Sequence, residues 1–188
     1  GLRPAAVVFA HPKQALPLMR DAFEASEGDT RYAYARQLAM LGDPTGVGVI
    51  LQRLAAASEW DEGWNYRGMG QFGAALSPID VDLIALGIAG DRRALPAILD
   101  KVAKLDDDAD FSHHRAVAIA LERLGDPSAA PALAALLAKP GMTGHVHDSV
   151  LKARTHDAIE ARNTNAVHTR RESLRELFLA RALYRLGD

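Results

Sequence analysis

Gly-Asp recurs four times in the chain, at 42–43, 90–91, 125–126 and 187–188, and each pair stands at the same point of an apolar frame. Leu41, Ala89, Leu124 and Leu186 lie one residue before the glycine, and Leu38, Leu86, Leu121 and Leu183 lie four before it. Ala35, Leu83, Ala118 and Ala180 lie seven before. Offsets of three and six residues trace one face of a helix. Beyond the pair, Ile50, Ile98 and Leu133 align, as do Leu54, Val102 and Leu137, so a second amphipathic helix follows. The glycine lets the first helix end in a left-handed conformation that other residues adopt at greater cost. The aspartate is placed to cap the next helix, with Pro44 or Pro127 at its first position. The string "LGDP" is thus read as a helix-turn-helix hinge, and its aspartates as caps rather than catalytic groups.

A further unit opens the chain: "AHPKQALPLM" at 10–19 lies over "AGDRRALPAI" at 89–98, with His11-Pro12 in place of Gly-Asp. Positions 11, 42, 90, 125 and 187 are separated by 31, 48, 35 and 62 residues. The short intervals define the repeat, and the long ones are a repeat plus an insertion. Residues 4–10 supply only the tail of a first helix, and the chain stops where a second helix is due. Repeat stacks cap their ends with polar units, so a longer natural chain is the expectation.

The unit at 116–137, "AVAIALERLGDPSAAPALAALL", resembles HEAT-like repeats of the phycobilisome-lyase type. The resemblance implies an all-α fold, a right-handed α-α superhelix (a HEAT-like solenoid). Residues 1–188 then form a single helical-repeat domain with insertions at about 58–77 and 139–169. It also implies a scaffold or docking role, because such repeats mostly act as contact surfaces. Bilin lyases share the repeat, but nothing beyond it points to bilins. The strings "WNYRGMGQFG", "PGMTGH" and "RELFLARALYRLGD" are similar to the C-terminal helical segment of certain bacterial FAD-dependent oxidoreductases. That resemblance implies a FAD-binding fold upstream of residue 1, with no flavin contact assigned to any residue here and no cofactor in this chain.

Composition narrows the classes further. The chain is 48% hydrophobic and 24% charged, with 6% aromatic residues and a formal charge of −2. These are values of a globular protein with a core and without a global field for nucleic acid or an anionic membrane. No cysteine is present, which excludes disulfides and thiolate metal sites and leaves the compartment open. No apolar run approaches the length of a membrane span. A soluble protein is expected, cytoplasmic or exported after loss of an upstream signal.

Both insertions, and the connection "LDDDADFSHH" at 105–114 between them, join the second helix of one unit to the first helix of the next. In a stack such connections share one edge, with neighbouring units roughly 10 Å apart. The edge therefore collects Trp60, Trp64, Tyr66, Arg67, Asp106, Asp107, Asp108, Asp110, His145 and His147, and is the expected contact surface for a partner or an upstream domain of the same chain. Trp60 and Trp64 serve either as apolar anchors of the insertion or as recognition residues. The aspartates at 106–108 and 110 precede a helix start, where negative charge is favoured; they lack the glycine and terminal glutamate of a calcium loop. His145 and His147, with His113, His114 and His156, read as surface histidines, since nothing in their spacing forces the convergence zinc needs. Residues 149–188 carry a small basic excess, too small for strong phosphate binding. Gly68-Met69-Gly70-Gln71-Phe72-Gly73 matches G-x-G-x-x-G. It lacks the preceding buried strand, and Pro78 follows closely, so its glycines read as a tight loop rather than a dinucleotide site. No catalytic constellation is present, and the chain is not expected to be catalytic by itself.

Overall fold

The computed structural model describes residues 2–65, 77–147, 149, 151–152 and 167–187. Among them every regular element is helical: α1 (Leu2–Ala10), α2 (Pro12–Glu24), α3 (Gly28–Met40), α4 (Val47–Ala56), α5 (Pro78–Ala89), α6 (Leu95–Ala103), α7 (Phe111–Leu124), α8 (Ala130–Leu137) and α9 (Val167–Arg185). The helices stack in two layers. The first helices of successive units pack in the order α3, α5, α7, α9, and the second helices in the order α4, α6, α8. The aligned apolar columns form the core: Leu38, Leu86 and Leu121 are fully buried, as are Ile50, Ile98 and Leu133. Ala180 departs from its column and is exposed on α9. Among the described helices, α9 packs on α7 and α8.

The hinge glycines adopt the left-handed conformation anticipated, with φ of 79° at Gly42, 69° at Gly90, 66° at Gly125 and 93° at Gly187. The aspartates also cap, but they cap a tight turn rather than the α-helix itself. Asp91 Oδ1 accepts the Arg93 N–H at 2.9 Å and Asp126 Oδ1 the Ser128 N–H at 3.1 Å. Each thereby starts a short 3₁₀ turn, Arg92–Ala94 or Pro127–Ala129, that leads into α6 or α8. Asp43 likewise accepts from Thr45 N–H (2.9 Å), so Pro44 lies in the turn and α4 begins only at Val47. At His11 no left-handed residue is used. It sits at φ −130° with no side-chain cap, and Pro12 breaks the chain sharply between α1 and α2.

Helices α5 and α7 cross in close contact. A Cβ on Gly87 would lie 2.5 Å from the Cα and carbonyl oxygen of Ala120, closer than packed backbones tolerate. Because the obstruction is main chain, no side-chain rotation relieves it. Gly87→Ala should therefore destabilise the fold by about 2 kcal/mol through overpacking. A drop in Tm of roughly 5 °C in a thermal melt would register that cost; an unchanged Tm would show that the two helices separate freely.

Candidate functional site

The hinges occupy one edge of the stack, where Arg92 reaches Asp126 of the next unit (3.5 Å). The connections between units occupy the other, and there each satisfies the helix ends of its neighbour. Four N–H groups at a helix start and four carbonyls at its end lack intrahelical partners. The segment 57–65, called the strap below, leaves α4 and crosses to α7. Asn65 Oδ1 accepts the Phe111 N–H at 2.9 Å and the Trp64 carbonyl accepts the Ser112 N–H at 3.0 Å, so the strap supplies the first caps of α7. Asp110 stands at the N-cap position, but its carboxylate does not cap its own helix. It accepts instead from Gly63 N–H (3.0 Å) and Asn65 Nδ2 (2.5 Å). Carbonyls at the other end of the strap are taken by lysines of α6 and its C-cap. Lys101 Nζ donates to Ala57 O (2.6 Å) and Glu59 O (3.2 Å), and Lys104 Nζ to Ser58 O (3.0 Å).

The same device is repeated one unit on. Lys139 Nζ donates to the carbonyls of Ala103 and Leu105. The buried Arg175 of α9 donates to Asp107 O (2.7 Å) and Gly141 O (2.5 Å), tying the second connection to the third. The third is fixed to α9 through Glu176, whose carboxylate accepts the N–H groups of His145 (2.7 Å) and Val146 (3.1 Å). All three connections therefore adjoin along one edge.

The expected edge residues divide sharply in this setting. Trp60 is half-buried and stacks on His113 with ring centroids 4.2 Å apart, and the Lys101 ammonium lies 5.4 Å from its ring centre. Trp64 meets Phe111 edge to face at 5.5 Å. Both tryptophans anchor the strap while keeping part of their surface open. Asp108 and His147 are exposed, whereas Asp110 and His145 are half-buried and engaged. Tyr66, Arg67, His156 and the string 68–73 lie outside the described residues.

The histidines 113 and 114 are a correction: they are buried, not on the surface. His113 Nδ1 lies 2.8 Å from Asp80 Oδ1 and Nε2 lies 3.1 Å from the Asp61 carbonyl. Burial opposes charging the ring, but the Asp80 carboxylate overcomes it and holds His113 above its ordinary pKa. His114 Nε2 lies 2.8 Å from Asp106 O and Nδ1 3.2 Å from Asp110 O, and burial, aided by the Arg175 charge, lowers it to about 4. Adjacent rings are thus shifted in opposite directions, His113 up and His114 down.

Sequence reasoning also missed a second polar group beside the strap. Asp82 is buried, accepts the Tyr32 hydroxyl on both oxygens (2.6 and 2.7 Å) and lies 3.3 Å from Arg36. Burial, and then the bond to Asp82, push Tyr32 up to about 12. Burial also raises Asp82 against the pull of its partners. The available signal was "PIDVDLIALGIA", an apolar helix with two aspartates on its buried side. Between the strap and α5 lies a cleft of about 390 Å³ lined by Trp60, Glu59, Asp61, Ile79, Asp82 and Arg53 among others. Among the described residues no group of three or more side chains is arranged to hold a metal ion, and no helix is long and apolar enough to cross a membrane.

Residues 114–139, which hold most of α7 and all of α8, match the family model for the PBS lyase HEAT-like repeat. No curated protein and no solved structure gave a match to the chain. The described residues thus form a HEAT-like α-helical repeat fold, and the chain is a helical-repeat module. The match concerns the repeat alone and gives no support to the flavin-enzyme resemblance.

Two measurements probe the edge. Asn65→Ala removes both the cap on Phe111 and a partner of Asp110, and should cost about 1–2 kcal/mol; urea unfolding at pH 7 would read it. For His114, whose folded pKa lies below its unfolded value near 6.5, the unfolded chain binds the extra proton between about pH 6.5 and 4. Stability is then lost as pH falls through that window, by up to about 3 kcal/mol from this ring. His114→Gln should flatten the acid limb of a stability–pH profile. His113, with a raised folded pKa, acts on the other side: its contribution is complete below about pH 6.5 and is lost as pH rises through its folded value.

Proposed function

We propose that the chain is a non-catalytic docking module whose edge of inter-unit connections makes protein–protein or intramolecular domain contacts. The observation that supports this reading is that the three connections adjoin and fix one another through Asn65, Lys101, Lys139 and Arg175, yet still leave Glu62, Asp106, Asp107 and Asp108 exposed beside half-open Trp64. Apart from the hinges, this is where the repeat spends residues it does not need for packing, and insertions in repeat stacks commonly build the binding face. Because the edge is already held by hydrogen bonds, little conformational entropy remains to be lost on contact.

Site-specific photocrosslinking in the native host distinguishes this edge from the other. A photoreactive residue in place of Glu62 or Asp108 should give discrete protein adducts, or an internal crosslink to another domain, whereas the same residue in place of Arg92 or Ser128 on the hinge edge should not. Adducts confined to the hinge edge, or none from either, would overturn the assignment.

A further inference from the structure

The charge of the chain is nearly balanced at −2, but the connection edge is not. Glu59, Glu62, Asp106, Asp107 and Asp108 are exposed along 57–65 and 104–110, against the single exposed cation Lys104, which is itself 3.1 Å from Asp100. Some carboxylates of this edge have structural work: Asp61 accepts from Ser77 Oγ (2.5 Å), and Asp106 accepts the N–H groups of Asp108 and Ala109 (3.2 Å each). Those of Glu59, Glu62 and Asp108 do not, for no hydrogen bond or ion pair within the described residues engages them. An excess of exposed like charges on one edge repels itself and weakens the fold. A cationic partner removes that repulsion.

The cleft beside this row has a matching form. Its walls are Leu54, Ile79 and the Trp60 ring, and its polar lining carries Glu59, Asp61 and the buried Asp82. Long cationic side chains lay their methylenes on apolar walls while the charged head seeks carboxylates. Arg53 forms a further wall, over the Tyr32 ring at 4.3 Å and held by an ion pair with Asp29 (3.0 Å) in which both side chains are more than half exposed. Such pairs are worth little, so this wall yields readily. Beyond Arg53 lies a second hollow of about 610 Å³ toward the turn between α2 and α3; Arg31 and Arg53 line it beside Asp29, Tyr32 and Gln52, so the cationic segment is confined to the Trp60 cleft and the acidic edge.

We infer that the edge takes a basic, extended segment of a partner protein, with one arginine or lysine side chain entering the Trp60 cleft and further cations lying along Glu59, Glu62 and Asp108. The inference rests on the docking role proposed for this edge and names the chemistry of its partner. The same acidic row disfavours acidic and nucleic-acid partners.

The test uses defined probes. The chain has two tryptophans, so a ¹⁵N-labelled sample gives two indole N–H signals, assigned by Trp64→Phe. N-acetyl-arginine methylamide and a nine-residue Gly/Ser peptide carrying three arginines are titrated in, beside the same compounds with norleucine or glutamate in place of arginine. The arginine probes should shift the Trp60 signal saturably, and the tri-arginine peptide should bind roughly fivefold more weakly to the surface triple variant Glu59→Gln, Glu62→Gln, Asp108→Asn, or in raised salt. Equal shifts with norleucine, an unaltered affinity in the triple variant, or no shift with any probe would overturn the inference. If crosslinks still map to residues 62 and 108 after such a result, the edge remains the contact face and only the partner's chemistry is wrong; loss of the crosslinks as well removes the docking role itself.

Discussion

The backbone groups at helix ends are the constraint on which this structure turns. A stack of helix pairs multiplies helix ends along both edges, and every buried end needs partners. On the hinge edge the answer is local: glycine reverses the chain and the aspartate that follows it accepts the N–H two residues further on. On the other edge the connections are too long for a local answer, and adjacent units exchange partners instead. Asn65 and Trp64 cap a helix that begins 46 residues later, while Lys101, Lys104 and Lys139 take carbonyls from the unit before their own. Cations at the carbonyl end of a helix are also favoured by its dipole, which gives lysine an advantage over a neutral donor there.

This exchange explains why so much charge is buried in a repeat whose core is otherwise alanine and leucine. Asp80, Asp82, Lys101, His113 and Arg175 are all nearly inaccessible. Buried ions lose hydration that their partners only partly restore, and well-packed apolar residues often serve stability as well. What apolar residues cannot do is satisfy the carbonyls of Ala57, Glu59, Asp107 and Gly141. The buried cations are there because an irregular backbone was laid across the edge, and an irregular backbone inside a protein carries unpaired groups. Asp80 then compensates His113, whose ring supports Trp60 and donates to the strap at Asp61.

The hinges and the core columns were legible in the sequence because both are local and periodic: each is fixed by residues within about a dozen positions of Gly42, Gly90 or Gly125. The adjacency of the three connections was legible too, since it follows from stacking. What was not legible is the bonding within the edge, where many partners stand 30 to 68 residues apart. His113 and His114 illustrate the difference. As a pair in a polar loop they resemble surface residues; in the structure they open α7, whose first turn is buried under the strap. Asp110 does precede a helix start, where its charge is favoured, but the bonds of its carboxylate to Gly63 and Asn65 lie beyond any local pattern. Only the two aspartates of "PIDVDLIALGIA" advertised a buried polar site, because charge inside an apolar helix requires a partner from elsewhere.

The division of labour among the edge carboxylates follows from the same reasoning. Those facing inward, Asp61, Asp80, Asp82 and Asp110, each hold an N–H, a hydroxyl or a ring of the scaffold. Replacing Asp61, Asp80 or Asp110 disturbs the strap, and replacing Asp82 the packing of α5 on α3, before either affects a contact. Among the described residues no hydrogen bond or ion pair engages the carboxylates of Glu59, Glu62 and Asp108, and the backbone that carries them is bonded in place. An exposed charge on a mobile loop contributes little to recognition, since ordering the loop consumes most of the gain. On an edge whose backbone is already bonded at both ends, the same charge acts from a fixed position. The buried ions of this module thus matter to its contacts indirectly: they hold still the segments that carry the outward carboxylates.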